Sequence, residues 1–328
     1  MEYRLLGDTG VRVSALCLGT MTFGREADRT EAATIFGRCR DAGVNLFDCA
    51  NVYSQGEAER ILGGLIADCR DEVILTTKGA SKAGEEINAR GSSRRHILTA
   101  VEASLKRLKT DRIDLYILHR FDDLTPLEET LRALNDLVTQ GKILYTGASN
   151  FSAWQVMKAL GISAKEGLSA FKCLQPMYNL VKRQAEVEIL PMALSERLGV
   201  IVYNPLGGGL LTGKYEQPEP PDKVRLNTNP TYRSRYGETW MHETARRFAA
   251  FARMEGFTPA SLAIAWVANH PAVTAPILGA RSVAQIEDAL KAAEIRMTPE
   301  LYGRIAAFSP APPTATDRSE TVKAVNLA

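Results

Sequence analysis

VNLFDCANVYSQGEAERILG, residues 44–63, contains one complete unit of the fold. Its first part, VNLFDC, is short and apolar, which is typical of a buried parallel strand. A loop carrying Tyr53 follows, and a helix begins directly after it. The strand ends near Asp48, whose burial costs free energy unless a charged or hydrogen-bonding group meets it. The rest of the sequence must therefore supply a partner for Asp48.

Runs of the same kind recur along the chain, and their near-continuous hydrophobicity favours parallel strands covered on both faces. They are ALCLGT (15–20), VNLFDC (44–49), EVILTT (72–77), IDLYILH (113–119), ILYTGAS (143–149), FKCLQP (171–176), GVIVYNP (199–205) and VTAPILG (273–279). Upstream, apolar and polar residues alternate on either side of Gly7-Asp8-Thr9-Gly10, which predicts a short β-hairpin.

Amphipathic helices are predicted between the strands from three apolar stripes. The stripes are Ile97, Val101, Leu105 and Leu108; Leu127, Leu131, Leu134 and Val138; and Val283, Ile286, Leu290 and Ala293. Eight strands alternating with helices favour a (β/α)8 TIM barrel. A doubly wound sheet would need an early phosphate-binding glycine fingerprint, which the sequence lacks. We predict a single domain over 1–328, with a long irregular loop after strand seven (215–237) and a loosely ordered tail (311–328).

Composition excludes several classes of function. The formal net charge is +2 and the basic residues are scattered, which argues against binding nucleic acid or a membrane surface. The five cysteines form no CxxC pair and are odd in number, which predicts reduced thiols and a cytoplasmic protein. His96, His242 and His270 have no metal-ligand spacing, so no metal site is expected.

Four reactive side chains are expected to meet at the barrel mouth, because the C-terminal ends of the strands converge there. Asp48 follows strand two with Tyr53 in the loop behind it, strand three delivers Lys78, and strand four delivers His119. Taken singly, each is more often a helix cap, a packing residue or a solvated group. Four complementary groups at three neighbouring strand ends are much less expected by chance, and Lys78 is the candidate partner of Asp48.

This set of groups is suited to giving a proton to a carbonyl that receives a hydride. A phenol has a pKa of about 10, so it donates poorly near neutral pH unless its anion is stabilised. The Lys78 ammonium is expected to lower the pKa of Tyr53 towards the working range. Asp48 would keep Lys78 charged and oriented, and His119 would fix the carbonyl oxygen by a hydrogen bond.

Several segments together resemble the aldo-keto reductases, over residues 4–310. They are DCANVYSQGEAERILG, ILTTKG, LYILHRFD, GKILYTGASNF, YNPLGGGLLTGKY and ILGARSVAQIEDAL. The resemblance is greatest to microbial, short-loop members related to the potassium-channel β subunits. It implies a metal-independent, NADP(H)-dependent reductase of small aldehydes and ketones. It also implies Tyr53 as general acid, Lys78 as the neighbour that lowers its pKa, Asp48 as the partner of Lys78, and His119 as the carbonyl-orienting residue.

The resemblance also implies a set of cofactor contacts. They are Thr20, Met21, Asp48, Ser149, Asn150, Gln175, Tyr203, Asn204, Pro205, Leu206, Gly207, Gly208, Lys214, Arg225, Gly279, Arg281 and Gln285. The segment 204–214 would wrap the pyrophosphate, since its glycines let backbone N–H groups approach a phosphate. It is not a Walker A loop, because Tyr215 stands where Ser or Thr must bind Mg²⁺. A plain turn is the alternative.

The other cofactor residues also have structural alternatives. Tyr203 would stack on the nicotinamide or simply pack at the mouth, and Asn150, with Ser149 and Gln175, would bind the carboxamide or cap a helix. Arg281 at a helix start suits a 2′-phosphate, which favours NADPH, but is otherwise a solvated residue. Gln285 would meet the adenine end. Similar proteins carry Glu-Asn where this chain has Asp288-Ala289, so we expect one adenine contact to be missing and cofactor binding to be weaker.

Two other functions stay open. One is an NADPH-binding regulatory module of the channel β-subunit type, against which His119 argues because those subunits carry other residues there. The other is a barrel lyase or isomerase using Lys78 as a Schiff base, which Asp48 opposes by keeping the amine charged. The sequence leaves the substrate and the oligomeric state undetermined.

Overall fold

The computed structural model describes residues 1–215 and 225–316. Two short strands, β1 (Tyr3–Leu5) and β2 (Arg12–Ser14), pair antiparallel at the N-terminus. In the turn between them, Gly7 has a φ of +59°, in the left-handed region that favours glycine. The predicted hairpin is confirmed.

Eight further strands lie parallel and hydrogen-bond in a closed ring. They are β3 (Cys17–Gly19), β4 (Leu46–Asp48), β5 (Ile74–Gly79), β6 (Ile113–Leu118), β7 (Ile143–Ser149), β8 (Phe171–Gln175), β9 (Gly199–Val202) and β10 (Ala275–Gly279). They are ordered as in the chain, and β10 closes the ring by pairing with both β3 and β9. The (β/α)8 barrel is confirmed, and β5 extends past its predicted end to include Lys78.

Helices surround the barrel. They are α1 (Arg29–Asp41), α2 (Glu57–Leu65), α3 (Arg94–Leu108), α4 (Leu127–Thr139), α5 (Ala153–Glu166), α6 (Ile189–Ser195), α7 (Arg225–Thr228), α8 (Pro230–Tyr236), α9 (Thr239–Met254), α10 (Pro259–Ala268), α11 (Val283–Leu290) and α12 (Pro299–Ala306). Their starts follow from local chemistry: Asp28, Ser93 and Thr298 accept hydrogen bonds from first-turn N–H groups of α1, α3 and α12.

The predicted apolar stripes face the barrel, with one exception. The stripe of α3 is buried throughout, and that of α4 is buried except for Val138, which is half-buried. In the third stripe, Ile286 is buried and Leu290 is half-buried. Ala293, however, is exposed, because α11 ends at Leu290 and a 3-10 turn (Lys291–Glu294) follows.

The prediction that 215–237 forms no regular element is wrong for its second half, where α7 and α8 lie. Asn229 accepts a hydrogen bond from the N–H of Thr231, and Pro230 occupies the first turn of α8. An N-cap followed by proline is a helix-start signal that the composition of the segment masks. Residues 216–224 lie outside the described residues.

Apolar side chains fill the inside of the barrel, among them Leu46, Leu115 and Ile201. Leu6 of the hairpin is fully buried in the same cluster, so the hairpin plugs the N-terminal end. Arg4 Nη1 fixes this plug by donating to the carbonyl oxygen of Ala268 at 2.7 Å. A polar site inside the barrel is therefore confined to the C-terminal end of the strands.

Other sequence expectations are met in part. The five cysteines are free thiols, as expected. Residues 311–316 contain no helix or strand, and the rest of the predicted tail, 317–328, lies outside the described residues. Over the ranges 1–215 and 225–316, no helix combines the length and apolar character needed to cross a membrane.

Two adjacent glycines of α2 test the packing of this helix on α3. A Cβ at Gly63 would lie 2.4 Å from the carbonyl oxygen of Leu108, so the backbones would have to separate. We expect Gly63→Ala to lower the free energy of unfolding by about 2–3 kcal/mol. A Cβ at Gly64 meets nothing within 4 Å, so Gly64→Ala should raise it by about 0.5–1 kcal/mol. Denaturant unfolding of both variants measures this, and effects of equal sign would contradict the packing.

Candidate active site

The ends of β4 and β5 bring a carboxylate and an ammonium together. Lys78 Nζ lies 2.6 Å from Asp48 Oδ2, and the two residues are 0% and 2% exposed. Because both groups are shielded from water, burying either charge without the other would cost folding free energy. Lys78 is thus the partner that the buried carboxylate of Asp48 requires.

All three ammonium hydrogens of Lys78 have an acceptor. Besides Asp48, Nζ donates to the carbonyl oxygen of Cys49 at 2.6 Å and to Tyr53 Oη at 3.3 Å. Lys78 does not line the cavity that the other residues surround. A buried ammonium with three acceptors disfavours the Schiff-base alternative, because a charged amine is no nucleophile.

The electrostatics of the pair differ from the expectation in one respect. Burial acts to lower the pKa of Lys78, but the neighbouring Asp48 charge and Tyr53 raise it above its usual value. For Tyr53, burial raises the pKa more than the Lys78 charge lowers it, and the result is about 12. Lys78 therefore acts on the pKa of Tyr53 in the predicted direction, but no net lowering results, because burial, whose depth is not evident from the sequence, outweighs it.

His119 lies beside Tyr53, with ring centroids 6.1 Å apart and planes at 81°. Burial, with the charges of Lys78 and Arg120, lowers the pKa of His119 to about 3, so the imidazole is neutral at neutral pH. Its Nδ1 is buried and has no hydrogen-bond partner among the described residues. A neutral imidazole has one N–H donor and one acceptor nitrogen, so it can donate to a carbonyl oxygen placed next to Tyr53.

Polar side chains at the ends of β7 and β8 continue this arrangement. Asn150 Nδ2 donates to the carbonyl oxygen of His119 at 2.8 Å, and its Oδ1 accepts from Tyr203 Oη at 2.6 Å. Ser149 Oγ donates to the carbonyl oxygen of Gln175 at 2.8 Å. The helix cap of α5 is Ser152 and not Asn150, so the capping alternative for Asn150 is excluded.

The second carboxylate oxygen of Asp48 is also occupied. Gln175 Nε2 donates to Asp48 Oδ1 at 2.9 Å, which leaves the amide oxygen of Gln175 as its free acceptor. Thr20 lies behind Asp48, where its N–H and its Oγ1 both donate to the Asp48 carbonyl oxygen. Lys78 and Gln175 thus hold the carboxylate in one orientation, while Thr20 fixes the backbone of Asp48.

The glycine-rich segment after β9 curves around the cavity. Gly208 and Gly209 have φ of +67° and +96°, which L side chains rarely adopt. A Cβ at Gly208 would lie 2.5 Å from the Tyr232 ring, and one at Gly209 would lie 2.4 Å from Lys214 Nζ. The segment can pack this tightly only with glycine. The side chain of Arg225, which was also predicted to reach this region, lies outside the described residues.

The start of α11 forms the opposite part of the cavity. Gln285 Oε1 accepts the backbone N–H of Arg281 at 3.0 Å, so Gln285 orders the turn in addition to facing the cavity. Glu31 of α1 accepts the N–H of Val283 at 2.7 Å. Ala289 lines the cavity as well, at the position where an adenine contact was predicted to be missing.

These surfaces enclose a cavity of about 460 Å³. Of the predicted catalytic residues, Asp48, Tyr53 and His119 line it and Lys78 lies behind them. Of the predicted cofactor residues, Thr20 and Gly207 do not line it, and all others with described side chains do.

Sequence reasoning missed part of the wall. Pro259, Ala260 and Ile264 of α10 are among the cavity residues that it did not predict. Arg235 lies near Tyr203, since its charge opposes the rise that burial causes in the pKa of Tyr203. Tyr232 and Arg235 line the cavity from α8, and the helix-start signal at Asn229-Pro230 is the one that could have revealed this helix.

Comparison with known proteins places this chain in a family. The model of the Aldo/keto reductase family matches residues 15–310. The uncharacterized oxidoreductase YrpG of Bacillus subtilis is 37% identical over 324 residues, which are 95% of this chain and 97% of that protein.

Two further relatives differ in their named function. A probable voltage-gated potassium channel subunit beta of Oryza sativa is 37% identical over 327 residues, covering 97% of this chain and 99% of the relative. Versiconal hemiacetal acetate reductase of Aspergillus parasiticus is 32% identical over 330 residues, covering 92% and 94%. The similarity therefore extends both to proteins named as oxidoreductases and to proteins named as channel subunits.

The neutrality of His119 is directly testable. Its ¹⁵N imidazole signals, assigned with His119→Asn, should show no titration between pH 5 and 8, and Lys78→Met should move the midpoint upward by removing one depressing charge. Because the pKa of His119 falls from 6.5 to about 3 on folding, the unfolded chain binds more protons than the folded protein between those two pH values. The contribution of His119 to stability is thus lost as the pH falls from 6.5 to 3. A midpoint near 6.5 in the native protein would contradict the account.

Proposed function

Since the chain belongs to the aldo/keto reductase family, we propose that it is an NADP(H)-dependent oxidoreductase that reduces aldehydes and ketones to alcohols. The observation that carries the proposal is the hydrogen-bonded series Asp48–Lys78–Tyr53 beside the neutral imidazole of His119. It joins a proton donor, a stabilising charge and a carbonyl-orienting group at one end of a cavity.

The residues present fit NADP(H) as the cofactor. Gly208 and Gly209 line the cavity without side chains, so their backbone N–H groups can approach a phosphate, and the Lys214 ammonium adds a positive charge next to Gly209. Arg281 at the start of α11 suits a 2′-phosphate, and the choice of NADPH over NADH rests mainly on it. When bound, the cofactor supplies the hydride that goes to the carbonyl carbon.

The remaining contacts orient the nicotinamide end. Ser149, Asn150 and the free amide oxygen of Gln175 would hold the carboxamide, and Tyr203 offers its flat face to the ring. Asn204, Pro205, Leu206 and Gly207 follow Tyr203 in the chain and would lie along the pyrophosphate. Met21, Gly279 and Gln285 would complete the contacts.

Tyr53 acts as the general acid in this proposal. A pKa of about 12 keeps the proton on the phenol at neutral pH, which an acid requires before the reaction. Hydride transfer would turn the carbonyl oxygen into an alkoxide, which is a stronger base than the Tyr53 phenolate. Proton transfer from Tyr53 to that oxygen is therefore downhill.

The other three residues support this transfer. The Lys78 ammonium, 3.3 Å from Tyr53 Oη, stabilises the phenolate as it forms. Asp48 keeps that ammonium charged and in place. His119 donates its N–H to the carbonyl oxygen, which both positions the oxygen and stabilises the charge that develops on it.

A second candidate is an NADPH-binding regulatory module, which is favoured by the similarity to proteins named as channel β subunits. His119 and the complete proton-donating series support turnover over a purely regulatory role. Small carbonyl compounds are then the substrates, and nucleic acid is not a partner given the scattered charge. A cytoplasmic location accords with five free thiols.

The test is a panel of carbonyl compounds, including 4-nitrobenzaldehyde, assayed with NADPH and with NADH. Tyr53→Phe should lower kcat by about 10²–10⁴-fold with unchanged NADPH binding by fluorescence, because only the proton donor is lost. Tyr3→Phe is the matched control, as it removes a phenolic hydrogen bond of 2.8 Å to the carbonyl oxygen of Gly43, far from the site. Turnover that survives Tyr53→Phe would remove Tyr53 as the acid, and no turnover by the wild type would favour the regulatory module.

A further inference from the structure

The loop that carries Tyr53 is held in an unfavourable conformation. The three residues after Tyr53 are all left-handed, with φ of +47° at Ser54, +55° at Gln55 and +88° at Gly56. Only the last is glycine, so the other two persist because their surroundings impose the conformation. The distance from Tyr53 to Lys78 depends on this turn, since it connects Tyr53 to α2.

Two contacts fix the turn from outside. Ser54 Oγ donates to the carbonyl oxygen of Phe23 at 2.7 Å. At the other end, the side chain of Arg107 lies directly against Gly56, where a Cβ would come within 2.8 Å of Arg107 Cδ. The stem of Arg107 therefore closes the turn on the side of α3.

Arg107 is itself held by a fully buried carboxylate. Glu59 is 0% exposed, and its Oε2 accepts from Arg107 Nε at 2.6 Å. Its Oε1 accepts from Thr77 Oγ1, also at 2.6 Å. Thr77 precedes Lys78 on β5, so one carboxylate connects the residue that closes the Tyr53 turn with the strand that carries Lys78. Glu59, Thr77 and Arg107 are called the Glu59 clamp below.

The charge of Glu59 is needed to hold Arg107 inward. Arg107 lines a cleft of about 360 Å³ together with Arg29, Arg60, Lys106 and Lys109, so its guanidinium stands among four other cations. The nearby carboxylate of Glu57 is already paired with Arg29 and Arg60 at 2.9 and 3.7 Å. Without Glu59, repulsion would turn the guanidinium outward and withdraw the stem from Gly56.

We propose that the Glu59 clamp is a positioning device for the reaction, which holds Tyr53 Oη within hydrogen-bond distance of Lys78 Nζ. None of its three residues lines the cavity, so none touches substrate or cofactor. The inference rests on the proposed function. It assigns to Glu59, a buried carboxylate on α2, a role in positioning Tyr53 that is separate from stabilising the fold and from binding the cofactor.

The experiment compares Thr77→Val, Thr77→Ser and Glu59→Gln. Thr77→Val keeps the shape and removes the hydroxyl, so kcat should fall about tenfold while KM and the Kd for NADPH stay within about twofold, because small displacements of reacting groups act on the chemical step. Thr77→Ser restores the hydroxyl and should restore kcat. Glu59→Gln should lower kcat more than Thr77→Val does, because Arg107 also loses its counter-charge.

Thr146→Val, on β7, is the matched control, since it removes a hydrogen bond from a buried hydroxyl to the carbonyl oxygen of Ala170, which directly precedes β8. It should change Tm but not kcat. A role in stability alone predicts that Thr77→Val behaves like Thr146→Val, with lower Tm and unchanged kcat, and that result would overturn the proposal.

A second readout separates this inference from the proposed function. With ¹³Cζ-labelled tyrosine, the Tyr53 signal, assigned with Tyr53→Phe, should shift or split in Thr77→Val and Glu59→Gln but not in Thr146→Val. This measurement needs no turnover. An inactive wild type would overturn the proposed function, whereas an unperturbed Tyr53 signal in both clamp variants would overturn the clamp.

Discussion

The ion pair between Asp48 and Lys78 is the interaction on which the rest of the site depends. Both groups are almost completely buried, where removal of one partner typically costs about 3–5 kcal/mol because it leaves an uncompensated charge. The surroundings fit this constraint. Gln175 occupies the second oxygen of Asp48, and the carbonyl oxygen of Cys49 takes another hydrogen of Lys78. The third hydrogen is left for Tyr53, so the hydrogen bonds of the buried pair extend to a phenol that lines the cavity.

The same burial decides the protonation states around the pair. It raises the pKa of Tyr53 to about 12 and lowers that of His119 to about 3, so both are neutral donors at neutral pH. The site thus contains one fixed pair of charges and two uncharged groups that face the cavity. A neutral substrate that enters such a site meets hydrogen-bond donors that are already oriented. These donors do not need to reorganise during the reaction, which favours stabilisation of a developing charge.

The sequence was sufficient for the barrel and for the meeting of Asp48, Tyr53, Lys78 and His119 at its C-terminal end, because parallel strands are recognisable as apolar runs and their C-terminal ends converge in a closed barrel. It was insufficient where tertiary packing decides. Glu59 reads as one more polar helix residue, and only its contacts with Thr77 and Arg107 show that it is buried. The net rise in the pKa of Tyr53 was not predicted for the same reason, since burial depth is a property of the whole fold. The helix α8 was hidden by a composition typical of loops, although Asn229-Pro230 marked its start.

A double-mutant cycle on Asp48 and Lys78, followed by both denaturant unfolding and kcat, tests the central claim most directly. Asp48→Asn and Lys78→Met should each destabilise the protein strongly. The double variant should be more stable than the less stable of the two single variants, because no unpaired charge remains. Carbonyl reduction should be lost in both single variants and in the double variant. Additive losses of stability would show that the pair does not constrain the fold. A double variant that retains the wild-type kcat would show that the pair does not support the proton donor.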